Sequence, residues 1–158
     1  MSACAKRGIM GILIKMPLNF ANFDINAAKR MKKYFPDIKN WYIGGHSLGG
    51  KYAAVHVYNY PNEYKGLILL GSYSSIKDLS KTDLKVLSIY GSEDKVLNLD
   101  NYNKYKSYLP KDTTEFVIQG GTHSYFGMYG YQKNDGTPNI TNVEQIEFTA
   151  DKIADFTK

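Results

Sequence analysis

The sequence predicts an α/β fold with three layers, in which helices cover both faces of a mostly parallel sheet. Two observations predict it. Short runs of aromatic and β-branched residues alternate with stretches of helical periodicity, and Gly and Pro interrupt the chain at the interval of one strand-helix unit. Strands in such a sheet are buried on both faces and therefore need helices on either side. The 158 residues and the 43% hydrophobic content suit a single domain over 1–158.

The apolar patterns place five strands and four helices along the chain. The predicted strands are Ile9–Lys15, Trp41–Gly44, Gly66–Leu70, Lys85–Tyr90 and Glu115–Gln119. The predicted helices are Asn26–Tyr34, Gly50–Tyr60, Asp100–Tyr108 and Asn142–Lys158. Aromatic and β-branched residues favour the strands, and Pro61 ends the second helix because proline cannot continue it. The connection over 71–83 is too short to hold a cap domain, so we expect an open site.

A glycine-rich turn stands between the second predicted strand and the helix after it. It reads Gly44-Gly45-His46-Ser47-Leu48-Gly49-Gly50. The pattern Gly-x-Ser-x-Gly is typical of a nucleophile elbow, a strained turn that lifts the serine hydroxyl clear of the sheet. Gly45 and Gly49 are expected to leave room for the close approach of the flanking chain. Ser47 is thus the candidate nucleophile, and the N–H of Leu48, at the helix N-terminus, is a candidate donor to an oxyanion.

The same turn partly matches a phosphate-binding loop. The stretch from Gly45 to Lys51 fits the Gly-x-x-x-x-Gly-Lys part of that motif. The motif continues with a Ser or Thr whose hydroxyl holds Mg²⁺, and this chain has Tyr52 at that position. The mismatch argues against nucleotide binding, and we predict no cofactor.

An acid and a base follow the serine in the order that a strand-turn-helix site requires. Asp94 lies in the loop after the fourth predicted strand and is placed to accept a hydrogen bond from imidazole; an Asx turn or helix cap is the alternative role for such a residue. Glu93 is the second choice for the acid. His123 lies in the loop after the fifth predicted strand. Since the strands are expected to be parallel, Ser47, Asp94 and His123 should meet at the same edge of the sheet.

The other two histidines are interpreted as structural. His46 precedes the nucleophile and is expected to project away from its hydroxyl, and His56 lies inside the following helix. Three scattered histidines and the single cysteine, Cys4, do not have metal-ligand spacing, so we predict no metal site.

These motifs make the chain resemble the α/β-hydrolase superfamily, and within it the small capless bacterial members similar to dienelactone hydrolases and simple carboxylesterases. The residues that carry the resemblance are Gly45-His46-Ser47-Leu48-Gly49, Gly91-Ser92-Glu93-Asp94 and Gly120-Gly121-Thr122-His123. The segment from Phe126 to Gln132 and on through Asp135-Gly136 is similar to a feature of an uncharacterised branch. The resemblance implies that Ser47 is the nucleophile, His123 the general base and acid, and Asp94 the residue that orients the imidazole.

The chain departs from this family at its front. By the resemblance, Ile9–Lys15 corresponds to the fourth strand, so the strands before it are missing, and with them the loop that donates the second oxyanion N–H. The front of the chain thus has the form of an N-terminally truncated version of the fold. We expect Ile9–Lys15 to pair directly with Trp41–Gly44, or a second molecule to cover the uncovered strand edge. We also expect a poor catalyst, because only Leu48 supplies an oxyanion donor.

Aromatic and sulfur side chains near the expected site are candidates for substrate binding. Met16 and Phe20 follow the first predicted strand, and Tyr125 and Phe126 follow His123. The alternative is that these side chains pack the loops onto the sheet.

Charge and composition limit the other function classes. The net charge of +5 comes from lysines spread along the chain, without the signature of a nucleic-acid-binding module, so we predict no nucleic-acid partner. No apolar run is long enough for a membrane span, and a single cysteine is compatible with a reducing compartment; a soluble, cytoplasmic protein is favoured, while an upstream targeting segment would be invisible. The sequence thus predicts a serine hydrolase of a small carboxylic ester. A catalytically crippled hydrolase-like fold and an acyltransferase are the alternatives.

Overall fold

The computed structural model describes residues 2–16, 24, 26–128 and 130–158. The strands are β1 (Tyr42–His46), β2 (Gly66–Leu70), β3 (Lys85–Gly91) and β4 (Thr113–Ile118). The α-helices are α1 (Ser2–Ala5), α2 (Ala27–Lys32), α3 (Leu48–Asn59), α4 (Leu99–Tyr105) and α5 (Asn142–Phe156). Single turns of 3₁₀ helix lie at Pro61–Glu63, Lys106–Tyr108 and Ser124–Phe126.

The four strands form one parallel sheet in the order β1-β2-β3-β4. Tyr42 lies opposite Gly66, Gly66 opposite Lys85, and Val86 opposite Thr113. Because the strands are parallel and in sequence order, their C-terminal ends lie along one edge of the sheet. The loops that follow β1, β3 and β4 therefore meet there, and these loops carry the predicted site.

The core lies on both faces of the sheet. Alternate residues of β2 and β3 point to opposite faces, as the two-residue period of a strand requires. One face packs against α3 through Ala53, Ala54, Val57, Leu67, Leu69, Leu79, Leu84 and Val86. The other face packs against α5 through Ile68, Leu87, Ile89, Ile118, Phe148, Ile153 and Phe156. This arrangement confirms the predicted three-layer α/β/α class with a parallel sheet.

The C-terminal helix α5 has a strong start signal in the sequence. Thr141 accepts a hydrogen bond from the N–H of Glu144, and the Glu144 carboxylate accepts one from the N–H of Thr141, which forms a capping box. The helix also presents the fully buried Gln145 to the loop that follows β4. Its position therefore matters to the site as well as to the core.

The prediction of a first strand at Ile9–Lys15 is wrong. Residues 9–16 form neither helix nor strand, and β1 pairs with β2 alone among the described strands. Ile12, Leu13, Ile14 and Met16 instead line a cavity of about 490 Å³ whose other walls include Ile43, Gly44 and Gly45 of β1. An extended segment becomes a strand only when a neighbour completes its hydrogen-bond ladder, and here the two segments line a shared cavity without pairing. Self-association through the β1 edge stays a prediction.

Other element boundaries differ from the predictions by a few residues. The helix after the elbow begins at Leu48, two residues earlier than expected, and the last strand begins at Thr113 rather than Glu115. Within the described ranges, no helix combines the length and the apolar character needed to cross a membrane.

Candidate active site

Ser47 occupies the sharp turn between β1 and α3. Its φ and ψ are 53° and −124°, a positive φ that non-glycine residues rarely adopt. Such a conformation costs on the order of 1–3 kcal/mol and persists only where the surroundings fix it. The Ser47 N–H donates to the carbonyl of Leu70 at 2.9 Å, which holds the turn against the end of β2. The local backbone is that of a nucleophile elbow, as the sequence predicted.

The glycines around Ser47 have different steric roles. A Cβ on Gly45 would lie 2.3 Å from the carbonyl carbon of Gly49, and a Cβ on Gly50 would lie 2.7 Å from the carbonyl oxygen of Gly45. A Cβ on Gly49 would meet nothing within 4 Å. The expectation that Gly49 must lack a side chain is therefore wrong: its backbone approaches Gly45, but its own Cβ position faces open space. Gly50 is the second glycine that the packing requires.

Leu48 is the first residue of α3, so its N–H has no partner within the helix. It lies directly after Ser47 and lines both cavities that Ser47 lines. An N–H at this position, next to the positive end of the helix dipole, is suited to bind a negatively charged oxygen.

Asp94 and His123 form a buried pair. The Oδ2 atom of Asp94 lies 2.7 Å from Nδ1 of His123, and the two side chains are 0% and 2% exposed. The Oδ1 atom of Asp94 accepts the N–H groups of Val96 at 2.9 Å and Leu97 at 2.7 Å. The Asx turn considered as an alternative for Asp94 is thus present together with the contact to His123. Glu93 accepts instead from the hydroxyl of Ser92.

The second ring nitrogen of His123, Nε2, differs from Nδ1 in its surroundings. Nε2 is buried and makes no hydrogen bond within the described part of the chain. His123 and Ser47 both line a cavity of about 240 Å³, together with Leu48, Lys51, Gly71, Tyr73, Val96, Leu97 and Asn98. Since Nδ1 faces a carboxylate, it carries the proton in the neutral ring, and the Nε2 lone pair is left to accept one.

Glycines allow two loops to touch: the loop after β3 that carries Asp94, called the acid loop, and the loop after β4 that carries His123, called the histidine loop. A Cβ on Gly91 would lie 2.2 Å from the carbonyl oxygen of Gly121. Gly71 has a φ of +52°, and a Cβ there would lie 3.0 Å from Nδ1 of His123 and 3.2 Å from Oδ2 of Asp94. The backbone of Gly71 therefore covers the pair where any side chain would press on it.

Two further residues hold the histidine loop and were not predicted as site residues. Asp135 accepts the N–H of His123 at 3.2 Å and the N–H of Ser124 at 2.8 Å. Burial raises the pKa of Asp135, but these N–H groups outweigh burial and hold it below its usual value. Gln145 of α5 accepts from the N–H of Thr122 and donates to its carbonyl. Contacts between residues 11 to 23 positions apart leave no local pattern in the sequence. The one indication of Asp135 in the sequence is the Asp135-Gly136 pair, in the segment that resembles a feature of one branch of the family.

His46 and His56 lie in different surroundings. The His46 ring is 4.4 Å from the His123 ring and 5.5 Å from the Phe126 ring, measured between centroids. Burial, together with the nearby charge of His123, lowers the pKa of His46 to about 4, so it is neutral at pH 7. Nε2 of the buried His56 lies 2.9 Å from the hydroxyl of Tyr64, and burial raises the pKa of Tyr64 to about 12.

The four candidate substrate-binding residues occupy different places. Met16 lines the 490 Å³ cavity beside Ser47, and Phe20 lies outside the described residues. Phe126 packs against the core on the α5 face, which is the packing alternative. The carbonyl of Tyr125 accepts from the Asn142 amide. Their roles in binding stay predictions. Nowhere in the described ranges do three His, Cys, Asp or Glu side chains cluster as a metal ion would require.

Solved structures share this fold. A predicted CIB-like hydrolase from Thermoplasma acidophilum matches with a TM-score of 0.59 and 21% identity over 85% of this chain and 61% of its own. An alpha-beta serine hydrolase homologue from Coxiella burnetii matches with a TM-score of 0.60 and 16% identity, over 83% of this chain and 57% of its own. The esterase domain of a Rhodothermus marinus protein matches with a TM-score of 0.60 and 12% identity, over 85% of this chain and 67% of its own. The chain thus spans about three fifths of the first and second of these proteins.

The family assignment comes from the sequence itself. No curated protein matches the chain. The sequence model of the alpha/beta hydrolase family matches residues 1–147, which is most of the chain. The fold, the elbow and the order of the site residues agree with that match. The chain belongs to the alpha/beta hydrolase family.

Proposed function

We propose that this chain is a serine hydrolase of a small carboxylic ester, or of a related acyl bond, and that it works through Ser47, His123 and Asp94. The observation that carries the proposal is the buried Asp94–His123 pair. The remaining nitrogen, Nε2, makes no hydrogen bond within the described part of the chain, and His123 lines the same cavity as Ser47. A buried histidine whose one nitrogen is fixed by a carboxylate and whose other nitrogen is free beside a strained serine is arranged as a general base.

The chemistry proceeds in two halves. Nε2 of His123 accepts the proton of the Ser47 hydroxyl as Oγ attacks the ester carbonyl, and Asp94 stabilises the resulting imidazolium. The N–H of Leu48 donates to the carbonyl oxygen, which becomes an oxyanion. The intermediate collapses, the alcohol leaves with the proton from Nε2, and an acyl group remains on Ser47. Water then attacks the acyl-enzyme with His123 again as base, which releases the acid and restores the serine.

A fluorophosphonate probe tests the proposal without knowledge of the substrate, because it reacts with an activated serine. We expect one label per chain, and we expect Ser47→Ala to abolish it while the circular dichroism spectrum is retained. Ser107→Ala is the control, since that hydroxyl bonds the carbonyl of Lys104 on the α4 side of the molecule. Labelling that persists in Ser47→Ala, or that maps to Ser92 or Ser124, contradicts the assignment.

One observation favours a second candidate, a hydrolase-like fold without useful catalysis. The strand that leads to Ser47 lies at the sheet edge and pairs on one side alone among the described strands. Because no described strand lies beyond β1, no loop from such a strand supplies a second N–H, and the N–H of Leu48 is the oxyanion donor that can be assigned. Labelling of Ser47 without measurable ester turnover would favour this second candidate over the first.

A further inference from the structure

The cavity shared by Ser47 and His123 is enclosed by a distinctive set of side chains. Leu48, Val96 and Leu97 give it apolar walls, while Lys51, Tyr73 and Asn98 contribute polar groups. Among the described residues that line it, Lys51 is a cation and none is a carboxylate. The cavity therefore combines a hydrophobic surface with a positive charge, close to the candidate nucleophile.

Lys51 is partly buried, whereas other lysines that make no ion pair in the described part of the chain, such as Lys65 and Lys85, are exposed. Within the described residues Lys51 makes no ion pair and lies over no aromatic ring, although it is partly buried. Lys32, by comparison, is paired with Glu63, Lys106 with Glu115, and Lys152 lies over Phe116. A cation beside the candidate nucleophile is left available for a group that does not belong to the protein.

The position of Lys51 is also unfavourable for the helix. It is the fourth residue of α3, and its N–H donates to the carbonyl of Ser47 one turn back. The N-terminal end of a helix carries partial positive charge, so a lysine there opposes the dipole, whereas an acidic residue would be stabilising. The lysine and the dipole together create a positive potential at the cavity. The carboxylate of Asp94 is already bonded to His123 and to two N–H groups.

We propose that the substrate is anionic: a small ester that carries a carboxylate, which Lys51 binds while Ser47 attacks the ester carbonyl. This inference rests on the proposed function and names its substrate class. The volume of about 240 Å³ suits a small group. Ser47 and His123 in the lining mark where the reacting end lies, and Lys51 in the same lining marks the charged end.

Matched esters with and without the charge test the proposal. One pair is 4-acetoxybenzoate and its methyl ester, which differ on the alcohol side. The other is mono(4-nitrophenyl) adipate and its methyl ester, which differ on the acyl side. The quantity measured is the ratio of kcat/KM for the charged ester to kcat/KM for the neutral one, in the wild type, in Lys51→Met and in Lys51→Arg.

In at least one pair we expect Lys51→Met to lower the ratio by about tenfold, because a single screened charge pair near a protein surface is worth that much. Lys51→Arg should retain most of the ratio. Lys152→Met is the control of equal charge change, on the α5 face of the sheet, and should leave the ratio unchanged. A ratio that is the same in Lys51→Met and in the wild type for both pairs overturns the proposal.

Binding separates this inference from the proposed function. Monomethyl adipate and dimethyl adipate are titrated into Ser47→Ala and into Ser47→Ala with Lys51→Met, which requires no turnover. Weaker binding of the monoanion alone, by about tenfold, supports the anion site even if no ester is hydrolysed. Equal affinities of the two variants overturn it, whatever the result of fluorophosphonate labelling.

Discussion

The two sides of Ser47 are built differently. On one side, the Asp94–His123 pair is buried, and each of its polar atoms except Nε2 of His123 has a partner. On the other side, β1 is a sheet edge that faces a cavity of about 490 Å³. We call the side of the Asp94–His123 pair the closed side and the side of β1 the open side. In the proposed mechanism the closed side transfers the proton, and the N–H of Leu48 holds the oxyanion. If the proposed roles hold, the acid and base are in place while the stabilisation of the oxyanion is incomplete, and each side can be tested alone.

The largest effect is expected from the closed side. Asp94→Asn should lower kcat for a short 4-nitrophenyl ester by about 10³- to 10⁴-fold, because an amide favours the wrong tautomer of His123. Glu93→Gln is the matched control, and its effect should stay within a few-fold. Similar losses in the two variants would contradict the assignment of the acid.

The open side is tested by giving β1 a neighbour. We expect kcat/KM to rise by about 10²- to 10³-fold when the segment that precedes the matched region of a structural relative is joined to the front of this chain, because a second N–H would then donate to the oxyanion. The same chimera with prolines in the added segment, which cannot pair, is the control. Equal rates with and without the segment would mean that another N–H already serves, such as one in 17–19, outside the described residues.

Two neighbouring glycines after Ser47 differ in the space around their Cβ positions. Gly50→Ala should destabilise the protein by about 2 kcal/mol, since the new Cβ meets the Gly45 carbonyl and the Ser72 side chain. Gly49→Ala should be neutral or stabilising by up to roughly 1 kcal/mol, because its Cβ position is open and alanine favours a helix. Urea unfolding of both variants measures the difference. Equal destabilisation of the two variants would contradict the open space at the Cβ position of Gly49.

Asp135→Asn probes the support of the closed side. The amide can accept one of the two N–H groups of His123 and Ser124 but turns a donor toward the other. We expect kcat to fall by about tenfold, with a smaller change in KM, because the imidazole is less well positioned. Asp155→Asn, a change at an exposed carboxylate paired with Lys158, is the control. A lower Tm with unchanged kcat would assign Asp135 to stability alone.

The smallest effect concerns His46 and pH. Its folded pKa of about 4 lies below the usual 6.5, so the unfolded chain binds more protons between these values, and stability is lost as pH falls through this window. Between pH 6.5 and pH 5, we expect the free energy of unfolding of His46→Gln, measured with urea, to fall by about 1 kcal/mol less than that of the wild type. Equal losses would mean that His46 is not protected from protonation in the folded state.

Local patterns were sufficient to predict the fold class and the order of the elements. Strand-helix alternation and the elbow motif depend on residues that are close in sequence, and parallel strands bring their ends together without further information. The candidate acid and histidine follow from the same rule, and the structure places Asp94 in contact with His123. Their catalytic roles remain predictions.

The failures have a common physical cause. Ile9–Lys15 has the composition of a strand, but strand pairing depends on a neighbour that composition does not reveal. The roles of Gly49 and Gly50 were confused because motif spacing does not say which Cβ would meet the neighbouring chain. Gln145 acts on Thr122 across 23 residues, a contact that only the packed fold creates.

The close approach of Gly136 to the acid loop also has a consequence for motion. A Cβ on Gly136 would lie 1.8 Å from the carbonyl oxygen of Glu93, while the adjacent Asp135 holds the histidine loop. The N–H of Glu93 in turn donates to the carbonyl of Gly121. Three loops are therefore linked in a ring, and local opening of one breaks bonds of the others. The amide protons of the three loops should exchange with solvent as one cooperative unit. Asp94 and His123 are then exposed to water together or not at all.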